Sequence, residues 1–537
     1  MKSMKASLFL LVTIITACTV VVRTPIQPTT THSTLGNRFT IAVEYAILGV
    51  AQTYSEAGVH SAKLQNVFAV WGNIEPQEGQ YDWDPLDALV LEYQKAGFNE
   101  LQMDLSSLSP WASSQQPALG GQGDAFPKPE YLSNYAAFVT AVVERYDADG
   151  KNDMPGLIYP IHEYGIEREF SGFWPGTANE YIQLLRTAYP AIKTADPQSQ
   201  VLLVALLMTD VFDGNPTQLQ INQRLAQTPS QIRKSAADIL TVLAACDSYD
   251  IVDFHSLGNY TEIPLTTAWI RQQLDSFGCG EKPIWIGDAF SMSALIGYGG
   301  FVPPIPFSPA TTENRDAVKD VLNSVADPSD ADHASSTSWL YGEMARNLIR
   351  KIVVSAGEGL RGINLGNMED WNTGVPAVDR ISVPMLGTSM FMGMTDTKVT
   401  SQKPGGVLPY TGQAWAQARK AGSPRPVYYA LKLAMDKLED FTSVQQVVMG
   451  SGIWAYQFET TNGTLWVLWY DDGKLYLPGE TEPAISVTIP FASPKVLVTE
   501  TPTIQGQTTL KTQLLDVTAG KATINLGLTP IFVEERK

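Results

Sequence analysis

Two short apolar runs of this 537-residue chain each end in a carboxylate: Leu157-Ile-Tyr-Pro-Ile-His-Glu163 and Pro283-Ile-Trp-Ile-Gly-Asp288. Both runs have the length and the content of β-branched and aromatic residues that are typical of buried strands. Parallel strands of a barrel present their carboxyl ends at one face, so a barrel would bring Glu163 and Asp288 together. The two runs therefore predict strands of a parallel barrel with two acids at its mouth.

Eight β-like runs recur along the chain, and amphipathic helical stretches such as 131–146 and 179–193 separate them. Strands that alternate with helices predict a parallel sheet, and eight such units predict an α/β fold with a closed (β/α)8 TIM barrel. The connections 290–334 and 371–423 are long and follow strands seven and eight, so we expect them over the C-terminal mouth, as walls of a cleft or as structural insertions. The predicted strands are residues 39–44, 61–67, 100–106, 157–163, 200–207, 251–257, 283–289 and 362–368.

The pattern changes near residue 444 to short alternating strands with turn signals between them. Asn462-Gly463 and Asp472-Gly473 each stand between apolar runs, which is a strong hairpin signal. We therefore predict a C-terminal antiparallel β-sandwich that spans residues 441–537 and follows a barrel domain of residues 39–440.

The N-terminus has the features of an export signal. Lys2 and Lys5 precede an apolar stretch at residues 6–15, and Ile15-Thr16-Ala17-Cys18 resembles a bacterial lipobox. We expect residues 1–18 to be a lipoprotein signal peptide and residues 19–38 to be a Thr- and Pro-rich tether. The protein is then exported to the cell surface or periplasm and anchored in the membrane through a lipid on Cys18. The alternative is an ordinary signal peptide with a chance cysteine.

Charge and composition exclude several classes of partner. The formal net charge is −18 and the pI is near 4.8, which argues against nucleic acid because phosphate binding needs clustered Lys and Arg. The five histidines are scattered, and the sequence contains neither a zinc-ligand spacing nor a Gly-rich phosphate loop. We therefore expect no metal and no cofactor.

Two further cysteines, Cys246 and Cys279, each lie just before a predicted strand and so belong at the N-terminal face of the barrel. Export to an oxidising compartment favours a disulfide between them, and two free thiols are the alternative. Neither cysteine is a catalytic candidate at that end of a barrel.

Several segments together resemble clan A glycoside hydrolases, notably families 39 and 42. The resemblance covers most of residues 39–440 and implies a retaining glycosidase fold, with the acid/base at the end of strand four and the nucleophile at the end of strand seven. The segments are Trp71-Gly-Asn-Ile-Glu75-Pro76 and its continuation to Asp87, Pro110-Trp111-Ala112, Phe173-Trp174-Pro175-Gly176, Phe254-His255 and Pro283-Ile284-Trp285-Ile286.

Carried over to this chain, the resemblance implies Glu163 as the acid/base. His162 precedes it where the family has Asn, and its imidazole is expected to replace that Asn as a ligand of a sugar hydroxyl. Glu167 and Glu169 lie just downstream and are alternatives. Asp288 takes the nucleophile position, where the family has the longer Glu. It can attack directly, act as a base on water with inversion, or belong to a site that binds sugars without turnover.

Other side chains are predicted around the acid pair. His255 and Tyr260, from strand six and its loop, are expected to hydrogen-bond the strand-seven carboxylate and hold it ionised. Glu369 and Asp370, just beyond strand eight, are substitutes for the nucleophile or ligands of sugar hydroxyls.

Aromatic residues near strand ends complete the predicted site. Trp111, Trp174 and Trp371 are candidate platforms for pyranose rings, with core packing as the alternative for each. The sequence predicts an enzyme that cleaves O-glycosidic bonds of extracellular oligosaccharides or polysaccharides. The alternative is a non-catalytic carbohydrate-binding surface lipoprotein on the same scaffold.

Overall fold

The predicted closed barrel of eight parallel strands is present. The structure is a computed structural model that describes residues 32–33, 39–114, 126–227, 233–289, 312–368, 370, 393–399 and 419–536. Each barrel strand pairs with the next along the chain, and β8 pairs with β1 to close the ring. The strands are β1 (Thr40–Ala46), β2 (Ser61–Leu64), β3 (Glu100–Leu105), β4 (Glu163–Ile166), β5 (Gln200–Leu207), β6 (Ile251–Ser256), β7 (Ile284–Ala289) and β8 (Gly362–Leu365).

Helices surround the barrel and pack on it through their apolar faces. Helix α5 begins with a capping box, because the Thr177 side chain accepts from the Glu180 N–H and the Glu180 side chain accepts from the Thr177 N–H. The α-helices are α1 (Ala51–Glu56), α2 (Trp71–Ile74), α3 (Asp84–Lys95), α4 (Leu132–Tyr146), α5 (Ala178–Ala195), α6 (Thr209–Phe212), α7 (Gln218–Ala226), α8 (Ala236–Leu243), α9 (Glu262–Ser276), α10 (Thr312–Ala326), α11 (His333–Gly357) and α12 (Pro426–Leu438).

Strand β4 differs from its prediction, and the difference moves a predicted catalytic residue. Residues 157–162 form no strand, and pairing begins at Glu163, which lies opposite Gln102 of β3 and Gln200 of β5. Pro160 lacks the N–H that a central strand needs, so the apolar run only leads into the barrel. Glu163 therefore opens β4 at the N-terminal end of the barrel and does not close it at the mouth.

Two of the sequence segments that resemble glycoside hydrolases contact each other at the mouth. A Cβ on Gly72 would lie 2.4 Å from the Pro110 ring, so only glycine fits there. Trp71 and Trp111 pack edge to face with ring centroids 4.9 Å apart. The loops after β2 and β3 are thus joined through an aromatic core.

The antiparallel C-terminal region begins at residue 441. The larger sheet has the order of the two-residue strand His32–Ser33, then β11, β12, β13, β18, β15 and β16, and β14 pairs with β17 in a second sheet. The hairpin that Asp472-Gly473 predicts is absent, because residues 474–477 form no strand. The strands are β11 (Phe441–Gln446), β12 (Ile453–Thr460), β13 (Gly463–Tyr470), β14 (Ile485–Pro490), β15 (Lys495–Glu500), β16 (Thr512–Asp516), β17 (Lys521–Leu526) and β18 (Ile531–Arg536).

Alternation along β12 and β13 gives the larger sheet two buried faces. Trp466 and Leu468 face the second sheet and form the core of the sandwich with it. Tyr456 and Trp469 face the other way and join the core of the barrel. Gly357, at the end of α11, leaves the space for Tyr456, because a Cβ there would lie 2.3 Å from the phenol ring. Barrel and sandwich therefore belong to one compact unit, residues 31–537.

The two long connections at the mouth contain regular structure. Helix α10 follows β7, and the antiparallel pair β9 (Thr395–Val399) and β10 (Arg419–Pro424) follows β8. The segments 290–311, 371–392 and 400–418 lie outside the described residues. Residues 1–31, with the predicted signal peptide and Cys18, lie outside them as well. Across the described ranges, no helix combines the length and hydrophobicity needed to cross a bilayer.

The predicted disulfide is present at the N-terminal face of the barrel. Cys246 and Cys279 are bonded, with their Cα atoms 5.8 Å apart. They precede β6 and β7, so the bond joins the entries of the two strands that carry His255 and Asp288.

Candidate active site

Three titratable side chains converge at the C-terminal end of the barrel. His255, the fifth of the six residues of β6, pairs with Asp288, the fifth of the six residues of β7, directly after a shift in the register of the two strands. Glu169 reaches the same point from the loop after β4. One ligand atom from each of Glu169, His255 and Asp288 lies within 4.8 Å of the other two. We call these residues the acid–histidine trio.

Glu169 and His255 form a close pair within the trio. His255 Nδ1 lies 2.7 Å from Glu169 Oε1, and the side chains are 2% and 12% exposed, respectively. Burial would lower the pKa of His255, but Glu169, followed by Asp253 and Asp288, outweighs burial and raises it to about 9. The imidazole is therefore cationic at neutral pH and donates to Glu169.

Asp288 is held by a tyrosine from the first strand. The Tyr45 hydroxyl donates to Asp288 Oδ2 at 2.9 Å. Burial and the Asp288 charge raise the pKa of Tyr45 well above its ordinary value, so the phenol stays protonated as a donor. Burial also raises the pKa of Asp288, whereas His255, Lys63 and the Tyr45 hydrogen bond favour its ionised form. Tyr45 has a φ of +55°, a strained conformation for a bulky residue that aims this side chain at the site.

The barrel interior beneath the trio carries charges in place of an apolar layer. Lys63 of β2 lies between two carboxylates, with Nζ 3.0 Å from Glu44 Oε1 and 3.4 Å from Asp104 Oδ2. Burial raises the pKa of Glu44 and of Asp104. Burial would lower the pKa of Lys63, but these two acids raise it well above its ordinary value. Charged side chains inside a barrel stay ionised only when they are paired in this way.

Glycines on the barrel strands make room for these carboxyl groups. A Cβ on Gly165 of β4 would lie 2.0 Å from Asp104 Oδ1, and a Cβ on Gly287 of β7 would lie 2.1 Å from Asp253 Oδ2. Gly172 has the same relation to Glu169, at 2.3 Å from Oε2. The carboxyl groups of Asp104, Asp253 and Glu169 therefore fit only because a glycine lies next to each of them.

Glu163 and His162, predicted at the mouth, lie at the opposite end of the barrel. Glu163 accepts from Gln102 Nε2 at 2.7 Å and lies 3.7 Å from the Arg361 guanidinium, just before β8. His162 Nδ1 is 2.8 Å from Asp196 Oδ2, after α5. The prediction of Glu163 as acid/base and of His162 as sugar ligand is wrong. Glu163 is the first residue of β4, whereas Asp288 is near the end of β7, so the two lie at opposite ends of the barrel.

Tyr260 and Asp370 are also placed in structural contacts. The Tyr260 hydroxyl donates to Asp471 Oδ2 at 2.6 Å in the sandwich, so it does not serve Asp288 as predicted. Both oxygens of Asp370 accept from Arg425 at 2.7 Å in a buried ion pair, which leaves neither for a reaction. The hydrogen bond to Asp288 that was predicted for Tyr260 is made by Tyr45.

The predicted tryptophan platforms have different outcomes. Trp174 is 2% exposed, donates to the Thr177 carbonyl and packs on Tyr181, so it is a core residue and the prediction is wrong. Trp111 is half-buried on the loop after β3, and its role as a platform stays a prediction. Trp371 and Glu369 lie outside the described residues.

Of the alternative glutamates, Glu167 ends the β3–β4 ladder and Glu169 belongs to the acid–histidine trio. The Glu167 N–H donates to the Leu105 carbonyl, and its Oε1 accepts from the Ser107 N–H at 2.8 Å. Its side chain is fully buried, and its φ is +67°. Glu167 thus joins the ends of β3 and β4. The chain changes direction at its positive φ and continues to Glu169, which contacts His255.

Sequence reasoning missed Tyr45, Asp253 and the ion cluster of Glu44, Lys63 and Asp104. Tyr45 directly follows the predicted strand 39–44, and the other four residues lie within correctly predicted strands. For those four, a charged residue within the strand was the available signal.

Two groups of acids in the described part of the chain have a spacing that could hold a cation. One is the acid–histidine trio, and the other is Asp147, Asp149 and Asp153 on the loop after α4. The three carboxylates of the second group suit a hard divalent cation, whereas a cationic His255 has no lone pair with which to bind a metal. The prediction of no metal considered only the spacing of possible ligands along the sequence. That spacing does not reveal residues that are distant in sequence and that the fold brings together.

The fold resembles those of several solved structures at low sequence identity. A family 39 glycoside hydrolase from Bacteroides cellulosilyticus matches with a TM-score of 0.56 and 13% identity over 93% of this chain and 81% of its own. A conserved exported protein from Bacteroides fragilis gives 0.54 and 10%, over 93% and 97%. A monomeric β-xylosidase from Caulobacter crescentus gives 0.51 and 13%, over 93% and 96%. These likenesses concern the fold.

Comparison by sequence adds no relative. No protein-family model matches the chain, and no curated protein matches it.

Proposed function

We propose that this protein is a retaining glycoside hydrolase that cleaves O-glycosidic bonds of extracellular oligosaccharides or polysaccharides, with Glu169 as acid/base and Asp288 as nucleophile. The observation that carries the proposal is the convergence of Glu169 and Asp288 at the mouth of the barrel, with one oxygen from each within 4.8 Å of the other. Retaining glycosidases hold their two carboxyl groups about 5–5.5 Å apart, whereas inverting enzymes need about 6.5–9.5 Å to admit a water.

The proton for the leaving oxygen comes from the Glu169–His255 pair. The imidazolium and the carboxylate share one proton across a 2.7 Å contact. Glu169 is the more exposed member, so it is the group that meets the glycosidic oxygen. When the sugar–enzyme bond is later hydrolysed, the same pair takes a proton from water.

Asp288 attacks the anomeric carbon in this scheme. Tyr45 donates to Oδ2, which leaves Oδ1 to form the covalent bond to the sugar. Within the described ranges Oδ1 has no hydrogen-bond partner, although it is buried. Burial raises the pKa of Asp288, and the positive charges of His255 and Lys63 and the hydrogen bond of Tyr45 oppose that rise and favour the ionised form.

The comparisons support the choice of first substrates. One protein of similar fold is described as a β-xylosidase, and another as a family 39 glycoside hydrolase. We therefore propose β-xylosides as the first substrate class to test, followed by β-glucosides and β-galactosides.

Export and a lipid anchor belong to the same proposal. The charged start, the apolar stretch and Cys18 support lipidation of Cys18 and a location outside the cytoplasm. Expression of the full chain in a bacterial host, with detection of a membrane-bound lipidated form, tests this. In Cys18→Ala the lipid is expected to disappear, and an unchanged lipidated band would contradict the anchor.

The test of function is a panel of 4-nitrophenyl glycosides with variants at three glutamate and aspartate positions. We expect at least one glycoside to be cleaved, with the anomeric configuration of the first product retained as followed by ¹H NMR. Glu169→Gln and Asp288→Asn should lose turnover, and Glu163→Gln is the matched control. Sugar binding by the wild-type protein without any turnover would favour the carbohydrate-binding lipoprotein instead.

A further inference from the structure

A column of three side chains links the barrel interior with the acid–histidine trio. Asp253 and His255 are two residues apart on β6 and therefore face the same side of the strand. His255 Nδ1 is 2.7 Å from Glu169 Oε1, and His255 Nε2 is 3.9 Å from Asp253 Oδ2. Both ring nitrogens thus face a carboxyl group. Nδ1 is hydrogen-bonded to Glu169, whereas Nε2 is too far from Asp253 for a hydrogen bond and is attracted to it by charge, which favours the imidazolium.

The fold makes a specific place for the Asp253 carboxyl group. Asp253 is 1% exposed, and its Oδ1 accepts from the Gly287 N–H at 2.7 Å. A Cβ at position 287 would lie 2.1 Å from Asp253 Oδ2, so any larger residue would displace the carboxyl group. Gly287 directly precedes Asp288, so the strand that carries the proposed nucleophile is shaped around Asp253.

We propose that Asp253 is a positioning residue: its carboxylate holds the His255 ring as a cation, turned so that Nδ1 donates to Glu169. The catalytic consequence rests on the proposed function, because the proton that this column retains is the one that Glu169 passes to the leaving group. The column itself depends only on the geometry of Asp253, His255 and Glu169.

The electrostatics of the interior agree with this arrangement. Burial raises the pKa of Asp253 to about 7, so it ionises near neutral pH. From that pH upward its charge adds to that of Glu169 in holding the proton on His255. The other charged groups that act on this column are Asp288 of β7, Glu44 of β1, Lys63 of β2 and Asp104 of β3.

The first test is the titration of His255 by NMR in protein labelled with ¹³C at histidine Cε1, with the signal assigned by its loss in His255→Gln. Asp253→Asn keeps the shape of the side chain and the acceptor for the Gly287 N–H but removes the charge. We expect the titration midpoint of His255 to fall by about one pH unit. An unchanged midpoint would overturn the proposal.

The matched control is Asp213→Asn. Asp213 is also buried and has its pKa raised to about 7 by burial and by Glu262, but its partners lie on the loops after β5 and β6. The His255 midpoint should not move in this variant. A fall as large as that in Asp253→Asn would mean a general effect of a lost buried charge and would overturn the specific role.

A second measurement decides the matter if Asp253→Asn does not fold. Gly287→Ala should lower the melting temperature because its methyl group meets the Asp253 carboxyl group. The loss should be much smaller in an Asp253→Ala background, where that space is free. Equal losses in both backgrounds would show that Gly287 does not make room for Asp253 and would overturn the proposal. A titration midpoint of wild-type His255 at the ordinary value of about 6.5 would also overturn it.

Activity separates this proposal from the proposed function. On a cleaved glycoside, Asp253→Asn should move the basic limb of the kcat/KM profile to lower pH with little change in KM. If the midpoint shifts but no glycoside is cleaved, the column stands and the proposed function fails. If a glycoside is cleaved and the midpoint is unmoved, the column fails and the proposed function stands.

Discussion

Glu163 and Glu169 are six residues apart in the chain but lie at opposite ends of the barrel. Glu163 contacts an amide and a guanidinium, Gln102 and Arg361, neither of which exchanges protons near neutral pH. Glu169 contacts His255, whose charge changes in an accessible range. The same residue type therefore makes structural contacts at the N-terminal end of β4 and belongs to a proton-transferring pair beyond its C-terminal end.

The largest expected difference between the two ends is in turnover. Glu169→Gln and Asp288→Asn should lower kcat by about 10²–10⁴-fold, because each removes a group that acts on the reacting bond. Glu163→Gln should stay within about threefold of wild type, since it is remote from the trio. Rates on a cleaved 4-nitrophenyl glycoside measure all three, and a Glu163→Gln loss as large as that of Glu169→Gln would erase the distinction.

Tyr45→Phe should have the next largest effect. It removes the hydrogen bond to Asp288 Oδ2, and bonds to charged groups contribute about 1.5–3 kcal/mol, so kcat should fall roughly 10–100-fold. Tyr260→Phe is the matched control, because its hydroxyl binds Asp471 at the sandwich. Steady-state kinetics on the same glycoside would contradict the account if the two variants were equally slow.

The pH dependence of stability distinguishes the two ends further. Because the pKa of His255 is raised to about 9, its contribution to stability is complete below about pH 6.5 and is lost as pH rises through 9. Wild type should therefore lose more melting temperature between pH 6.5 and 9 than His255→Gln does. Thermal unfolding in matched buffers measures this, with His162→Gln at the other end as the control. Parallel curves for wild type and His255→Gln would contradict the raised pKa.

The smallest effect on activity is expected from the disulfide at the N-terminal face. Cys246→Ser with Cys279→Ser should lower the free energy of unfolding by about 3–4 kcal/mol and leave kcat at neutral pH unchanged. Denaturant unfolding and the glycoside assay test the two parts separately. A large loss of kcat in the folded double variant would show that the entries of β6 and β7 control the site.

Much of the fold could be predicted from the sequence, because seven of the eight barrel strands are apolar runs at the expected places. The apolar run 157–162 predicts a strand, whereas β4 begins only after it, at Glu163. Pro160 argues against a central strand there, because proline has no N–H to donate to a neighbouring strand. Because the predicted strand ends at residue 163 and β4 ends at Ile166, the prediction placed the acid at Glu163 instead of Glu169.

The site was less predictable for a different physical reason. Asp288 and His255 follow from their strand ends, but the partners of each depend on side-chain reach across the barrel. Tyr45 points at Asp288 only because its backbone adopts a φ of +55°, and Tyr260 turns instead to Asp471 in a domain some 200 residues later. Such contacts are set by tertiary packing, which a local pattern does not encode.

Azide rescue of Glu169→Ala and Asp288→Ala tests the central claim most directly, using the glycoside that wild type cleaves best. Without the acid/base, azide attacks the sugar–enzyme intermediate in place of water, and the configuration is retained after two inversions. Without the nucleophile, azide attacks the substrate directly and inverts the configuration, so the glycosyl azide reports the role of the missing carboxylate. We expect an azide of retained configuration from Glu169→Ala, an azide of inverted configuration from Asp288→Ala, and wild-type hydrolysis by Glu163→Ala. Absence of rescue in both variants, together with azide products from Glu163→Ala, would contradict the assignment of the reacting pair to this end of the barrel.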